Sequence, residues 1–331
     1  MTNTLKPKFS DPTPKSRRQL LAVGILGLLS PASTAGFSDL DEKIELSSKE
    51  IVGMAADEIT DIHQHTHYAG RRDGTLVAHQ RTLGVTRTVL LPAGSQLGLD
   101  ADCGGNQSVM ELAKQFRHEF VYFANEVPNL PEAKEVIEKY IKLGACGIGE
   151  QKFPVDCDSS AMELIAQIAD HYQVPVLLHF QHNKYNTNFL RFHKMLENYP
   201  RVNFIGHAQT FWGNIDLNHK QEVLYPKGAV TKGGYTDKLL RDYPNMYGDL
   251  SAGSALNAMT RDESHAREFL IRHKSKLLYG SDCDDQIGAS SNCSGAEMMK
   301  FVKRMVRDRS DLNAILSGNA KQIIPMGRSL R

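Results

Sequence analysis

A single tryptophan, five scattered cysteines and almost no net charge are what this 331-residue chain has least of. Its 39 basic and 38 acidic side chains leave a formal charge of +1, so no global field gathers nucleic acid or an anionic membrane. Cys103, Cys146, Cys157, Cys283 and Cys293 show no C-x-x-C spacing, which argues against a structural zinc ribbon or a disulfide-framed mini-domain. An odd count leaves at least one thiol free, and Cys283 with Cys293 is the nearest candidate for a single bridge. There is no low-complexity tract and no close repeat, which argues against a solenoid. What remains, 41% hydrophobic and 23% charged residues, suits a globular protein with a large core.

Residues 1–35 read as an export signal rather than as part of the fold. Ser16 and the pair Arg17 and Arg18 precede an apolar run from Leu20 to Leu29, and Ser33, Thr34 and Ala35 offer small residues for cleavage. That run is too short for a helix across the roughly 30 Å hydrocarbon layer, which takes about 20 residues. A basic pair before the apolar core resembles the twin-arginine signal that sends folded proteins to the bacterial periplasm; an ordinary secretory signal or an uncleaved anchor is the alternative. An acidic linker, residues 36–57, follows.

From residue 58 to 328, short apolar runs alternate with helix-like segments. Strands are expected over Glu58 to Thr66, Thr86 to Pro92, Phe120 to Glu126, Cys146 to Phe153, Val174 to Phe180, Val202 to Ala208, Met246 to Ser251 and Leu277 to Asp282. "NQSVMELAKQFRHEF", "PEAKEVIEKYIKLG", "SSAMELIAQIADHY" and "TNFLRFHKMLENYP" carry apolar residues at helical spacing between them. Ser159 or Ser160 can cap the third, with Glu163 closing a capping box on Ser160, and Pro131 fits a helix's first turn. Strand–helix alternation implies parallel pairing. Eight such units match a single-domain α/β fold, the (β/α)8 TIM barrel of about 250 residues. The runner-up, an open doubly wound sheet, would offer a Gly-rich loop after the first strand, where this sequence has histidines.

Alternation along a strand puts His63 and His65 of "ITDIHQHTHY" on one side, where two imidazoles can reach one cation. An H-x-H pair alone is weak evidence. However, "VPVLLHF" ends near His179, "VNFIGHAQ" near His207 and "LLYGSDC" near Asp282, each polar residue following an apolar run. In a barrel, the carboxyl ends of all eight strands converge on one mouth, where catalytic residues collect. An ion held by imidazoles with an open position can lower the pKa of water to about 7, and Asp282 can move its proton.

"DIHQH", "LLHF", "IGHAQ", "YGSD" and the closing "ILSGNAKQIIP" together resemble the amidohydrolase superfamily, in its amidohydrolase-2 branch of metal-dependent barrel enzymes, over roughly residues 58 to 325. The resemblance implies His63, His65 and His179 as metal ligands and Asp282 as ligand, proton-transfer group or both. It makes His207 a further ligand if two metals bind, or otherwise an electrophilic or acid/base group. In "GIGEQKF", relatives bridge a second metal with a glutamate or a carboxylated lysine, so Glu150 or Lys152 can serve; with one ion, the favoured case, Lys152 binds a substrate carboxylate or developing charge. A structural Lys152–Glu150 pair is the plainer alternative. The implied metal is Zn2+, with Mn2+ or a similar ion open.

Other residues receive plainer readings. Asp61 can orient a ligand imidazole, and His67 faces solvent. Arg71 and Arg72 can clamp an anionic substrate, although exposed arginines are more often solvated. His79, His118, His171, His193, His219, His265 and His273 are read as surface residues. The irregular stretch from Thr210 to Tyr235, holding Trp212, is expected to cover the pocket, the alternative being packing at the rim or at an oligomer interface. The resulting expectation is a metal-dependent hydrolase of a small anionic lactone, ester or amide. A metal-dependent decarboxylase and a non-catalytic binding barrel are the competing readings. A small-molecule substrate, no nucleic-acid partner, no membrane span after signal removal and an open question of homo-oligomerisation complete the picture.

Overall fold

The computed structural model describes residues 58–95 and 102–327. The expected export signal (1–35) and linker (36–57) lie outside the described residues. Eight strands follow one another: β1 (Thr60–Gln64), β2 (Arg87–Leu90), β3 (Phe120–Tyr122), β4 (Ile148–Gln151), β5 (Val176–His179), β6 (Phe204–His207), β7 (Met246–Asp249) and β8 (Leu277–Leu278). They pair in parallel and in chain order, as a three-stranded sheet β1-β2-β3 and a five-stranded sheet β4 to β8. Backbone bonds join the two sheets on both sides. Ala124 N donates to Gly147 O at 2.9 Å between β3 and β4, and Ile62 N donates to Tyr279 O at 3.0 Å between β1 and β8. The circle is that of a TIM barrel, as the strand–helix alternation implies.

Each expected strand is present but shorter than its apolar run. The eighth shows why: after Leu278 the chain leaves the ladder, and Asp282 turns at φ 44° with its N–H on His63 O at 2.9 Å. Asp282 is therefore presented by a loop just past the strand end, whereas His63, Glu150, His179 and His207 still lie on their strands.

The helices follow local signals with two corrections. The helix Ser160–Tyr172 is capped by Ser159, whose hydroxyl accepts from Met162 N at 3.4 Å. Glu163 N then bonds Ser159 O, so the expected Ser160–Glu163 capping box does not form. Within 187–200, only His193–Asn198 is α-helical, after a 3-10 turn at Phe189–Arg191. The reason is packing: Phe189 and Phe192 both turn onto Phe180, at ring distances of 4.7 and 5.0 Å.

Two apolar layers fix the height of the site. Leu178, Phe204 and Leu277 pack with the helices outside the strands, whereas Leu177, Ile205 and Tyr247 join Ala320 and Ile323 of the last helix in a separate cluster. Leu177, Ile205 and Tyr247 each stand two residues before His179, His207 and Asp249, on the same strand face. The polar strand ends thus form one layer above an apolar floor.

A buried charge cluster ties two crossover helices together. Asp237 of the helix Tyr235–Asp242 accepts from Arg272 Nη2 at 3.0 Å and from His273 Nε2 at 2.5 Å. Burial pushes this carboxyl up, but His273 and Arg272 outweigh it and hold it down at about 2. Its folded value lies below the ordinary 3.8, so the stabilisation is full above pH about 4 and is lost as pH falls towards about 2. Asp237→Asn is expected to lower unfolding free energy by about 2 kcal/mol at pH 7. Urea melts of both proteins at pH 7 and pH 3 should show that difference shrinking at the lower pH.

Candidate metal centre

Four buried imidazoles meet two carboxylates at the carboxyl ends of β1, β4, β5, β6 and β8. His63 and His65, from β1 and the residue after it, bring their Nε2 atoms to 3.2 Å. Alternation sets this up, and the outer nitrogens fix it. His65 Nδ1 donates to Leu91 O at 2.8 Å, which leaves its Nε2 lone pair directed at the cluster. His63 Nδ1 lies 2.6 Å from Asp249 Oδ2, and His179 Nδ1 lies 2.6 Å from Glu150 Oε1. His207 Nδ1 meets Ser251 Oγ at 3.0 Å, and that hydroxyl donates to Asp249 Oδ2 at 2.8 Å.

The carboxylates close the constellation. Asp282 Oδ1 stands 3.7 Å from His63 Nε2 and 3.6 Å from His65 Nε2, while Asp282 Oδ2 stands 3.5 Å from His207 Nε2. Glu150 Oε2 lies 3.8 Å from His63 Nε2 and 3.7 Å from His65 Nε2. Three overlapping triplets each have ligand atoms within 4.8 Å of one another: His63, His65 and Glu150; His63, His207 and Asp282; and Glu150, His179 and His207. Asp282 Oδ1 is buried with no hydrogen-bond partner among the described residues. A buried anionic oxygen in that state, beside nitrogen lone pairs, fits a divalent cation.

Electrostatics follow from the crowding. Burial drives both Glu150 and Asp282 upward, yet the imidazoles outweigh it: His179, together with Lys152 and His63, holds Glu150 well below the usual carboxylate range, and His63 with His65 does so for Asp282. His207 goes well down, from burial and from the charge of His63, so it is neutral at physiological pH.

The sequence candidates do not all meet here. Lys152 is half-buried, with Nζ 5.8 Å from the Tyr185 ring and a charge that acts on Glu150; Glu150 is the one packed into the cluster. Arg71 is buried, and its guanidinium donates to Cys283 O and Gln64 Oε1, both at 2.6 Å, and to His65 O at 3.0 Å. Its donors staple the chain to itself rather than face a substrate, and Arg72 is exposed at a helix start. Trp212 does not cover the pocket either: it is buried in the helix Ala208–Gly213, and its Nε1 donates to Asp249 O at 3.0 Å.

Asp61 holds backbone, not an imidazole, accepting from His63 N at 3.0 Å and Ser281 N at 2.9 Å. The acceptor that holds the imidazole is Asp249, which sequence reasoning passed over although "MYGDLS" ends an apolar run just as the other strands do. Tyr68, Ser251 and Cys103 were missed as well. Tyr68, whose phenol feels the Asp282 charge, opens a 3-10 turn, and Cys103 stands in a loop beside His65, where spacing carries no signal. His67 is exposed as expected, but His79, His265 and His273 are buried rather than on the surface.

Gly280 makes the close approach possible, since a Cβ there would meet Asp249 Oδ1 at 2.4 Å and His63 Cβ at 3.1 Å. Positive φ at Asp282 (44°), Ala208 (77°) and Ala252 (61°), all non-glycine residues just past strand ends, marks the same rim as strained.

No protein-family model matches the sequence, and no curated protein matches it. Solved structures do resemble the chain. A TIM-barrel protein from Bordetella bronchiseptica has a TM-score of 0.59 at 14% identity, covering 82% of this chain and 100% of that one. A probable 2-pyrone-4,6-dicarboxylic acid hydrolase from Acinetobacter baumannii, with citric acid bound, gives 0.56 at 14% identity over 82% of this chain and 99% of that one. An amidohydrolase from Burkholderia multivorans gives 0.54 at 13% identity over 82% and 100%. The likeness is distant and lies in the fold, a TIM barrel that amidohydrolases share; it singles out no branch. The barrel and its cluster of buried histidines and carboxylates define the class as that of metal-dependent barrel enzymes.

Asp249→Asn is expected to lower zinc affinity about 10- to 100-fold, because the amide holds the His63 ring less well. Chelator-competition titration measures it. Gly280→Ala should cause a comparable loss by displacing Asp249 and His63, and an unchanged affinity in both variants would contradict the arrangement described.

Proposed function

We propose that the chain is a metal-dependent hydrolase of the amidohydrolase-2 type, cleaving a C–O or C–N bond in a small anionic lactone, ester or amide. The observation that carries this reading is Asp282 Oδ1, buried and unpartnered beside two imidazole nitrogens. His63, His65, His179 and Asp282 would hold one ion, zinc by preference and manganese as the alternative, with Glu150 and His207 in reach of it. When bound, such an ion lowers the pKa of water and polarises a carbonyl.

The chain's own groups do the rest. Asp282, kept ionised by its imidazole neighbours, accepts the proton of the attacking water and returns it to the leaving oxygen or nitrogen. Tyr68 stands by that carboxylate; the Asp282 charge and burial push its phenol well up, so it keeps its proton. His207, neutral and with Nε2 3.5 Å from Asp282 Oδ2, can accept a hydrogen bond from Asp282 while that residue carries the proton. Lys152 supplies positive charge for a substrate carboxylate, in place of Arg71, Arg72 and Trp212. The name of the Acinetobacter baumannii structure supports the lactone class, a 2-pyrone being a cyclic ester.

The proposed site of action is the bacterial periplasm, reached through the twin-arginine pair Arg17 and Arg18. Among the described residues, no helix is long and apolar enough to cross a membrane.

The decisive assay is a panel of carboxylated lactones, esters and amides run in 18O-labelled water with zinc-loaded protein. Label in the acid product supports the proposal, whereas carbon dioxide release without label assigns a decarboxylase instead. Asp282→Asn should lower kcat by about 10²- to 10⁴-fold while the fold persists by circular dichroism. An unchanged kcat would remove Asp282 from the chemistry.

A further inference from the structure

A second group of metal-ligating side chains lies outside the catalytic cluster and takes part in none of its steps. His79, Cys283 and Cys293 each offer one donor atom, and the three atoms lie within 4.8 Å of one another. They come from three separate segments. His79 belongs to the helix Asp73–Thr82 that follows β1, Cys283 to the segment that follows β8, and Cys293 to the N-cap of the helix Ser294–Met305. The group therefore spans the seam where the last strand meets the first.

All three residues are buried, with 0%, 5% and 1% of their surfaces exposed. His79 Nε2 stands 3.2 Å from Cys293 Sγ, while its buried Nδ1 has no hydrogen-bond partner among the described residues. Both thiols are free rather than bridged. Ala296 and the partly buried Leu83 pack around the sulfurs, so the surroundings are apolar. Two thiols and an imidazole facing one another in such a place satisfy each other only in part.

We propose that His79, Cys283 and Cys293 form a second metal site, for one thiophilic divalent ion of the zinc class. Two thiolates and an imidazole are soft to borderline donors, unlike the carboxylate-rich cluster at the strand ends. Two thiolate charges balance one divalent ion, so the filled site carries no net charge into its apolar surroundings, where an unpaired charge would be expensive. On binding, each thiol releases its proton to solvent. The ion would tie the first helix, the segment after β8 and the last long helix together. Cys283 directly follows Asp282, and its carbonyl accepts from Arg71 Nη1 at 2.6 Å, so the same ion fixes the segment that presents Asp282.

Co2+ is the probe, added to reduced, metal-free, full-length protein under anaerobic conditions. Thiolate-bound Co2+ has a sulfur-to-metal charge-transfer band in the near ultraviolet, which Co2+ held by nitrogen and oxygen lacks. The band is expected to correspond to one thiolate-bound Co2+ per chain, to be complete by two added equivalents because the strand-end cluster takes one, and to vanish when Zn2+ is added. Cys293→Ser should abolish it, and His79→Gln should weaken Co2+ binding at this site by at least about tenfold. His63→Ala, in the other cluster, should leave the band in place, so this test stands apart from the catalytic reading. No band in folded wild type, a band that survives Cys293→Ser, or a band that Zn2+ does not displace would each overturn the proposal. If Cys293→Ser does not fold, the His79→Gln titration decides, and an unchanged affinity there rejects the site.

Discussion

Asp249 is a carboxylate with no exposed surface, 2.6 Å from Nδ1 of His63 and reached from behind by the indole of Trp212 through its backbone carbonyl. An isolated charge so placed would be costly, and it is tolerated because His63, Ser251 and the Ser251 backbone N–H surround it. That contact sets the orientation of the His63 ring, and through it the position of Nε2 relative to His65, Glu150 and Asp282.

The barrel makes such a cluster sustainable. Leu177, Ile205 and Tyr247 form an apolar floor two residues below His179, His207 and Asp249, and the last helix packs Ala320 and Ile323 against it. Water is kept from the underside, so the imidazoles and carboxylates interact in a medium where their charges shift each other strongly. The outer nitrogens of His65 and His207 bond Leu91 O and Ser251, which leaves their Nε2 atoms and Asp282 Oδ1 for a ligand, while His179 meets Glu150 through Nδ1 and Gln181 through Nε2. Asp61 and Arg71 brace the rim by holding backbone atoms of the chain on either side of the β8–β1 seam. The same seam carries His79, Cys283 and Cys293.

Sequence and structure part company where a role depends on direction rather than position. "DIHQH" and the ends of the fifth, sixth and eighth strands were legible because alternation and apolar runs place His63, His65, His179, His207 and Asp282 without any knowledge of loops. Where Arg71 and Trp212 would point was not legible, for the opposite reason. A guanidinium in a loop can face solvent, substrate or its own backbone, and only packing chooses; here Gln64, His65 and Cys283 accept from its Nη atoms. Likewise His79 and His265 sit on helices, and His273 just past the end of one, whose buried faces depend on neighbours far along the chain, so His273 could not be seen to meet Asp237.

The sequence by itself determined the eight-unit alternation, the parallel barrel that it implies, and a layer of imidazoles and one carboxylate at its strand ends, because periodicity and strand-end position are local properties. Tertiary structure alone decided which of Glu150 and Lys152 enters the cluster, that Asp249 rather than Asp61 holds an imidazole, and that Cys283 and Cys293 meet His79. Those choices rest on contacts between residues up to 214 positions apart, where burial and hydrogen-bond satisfaction, not spacing, select the partner.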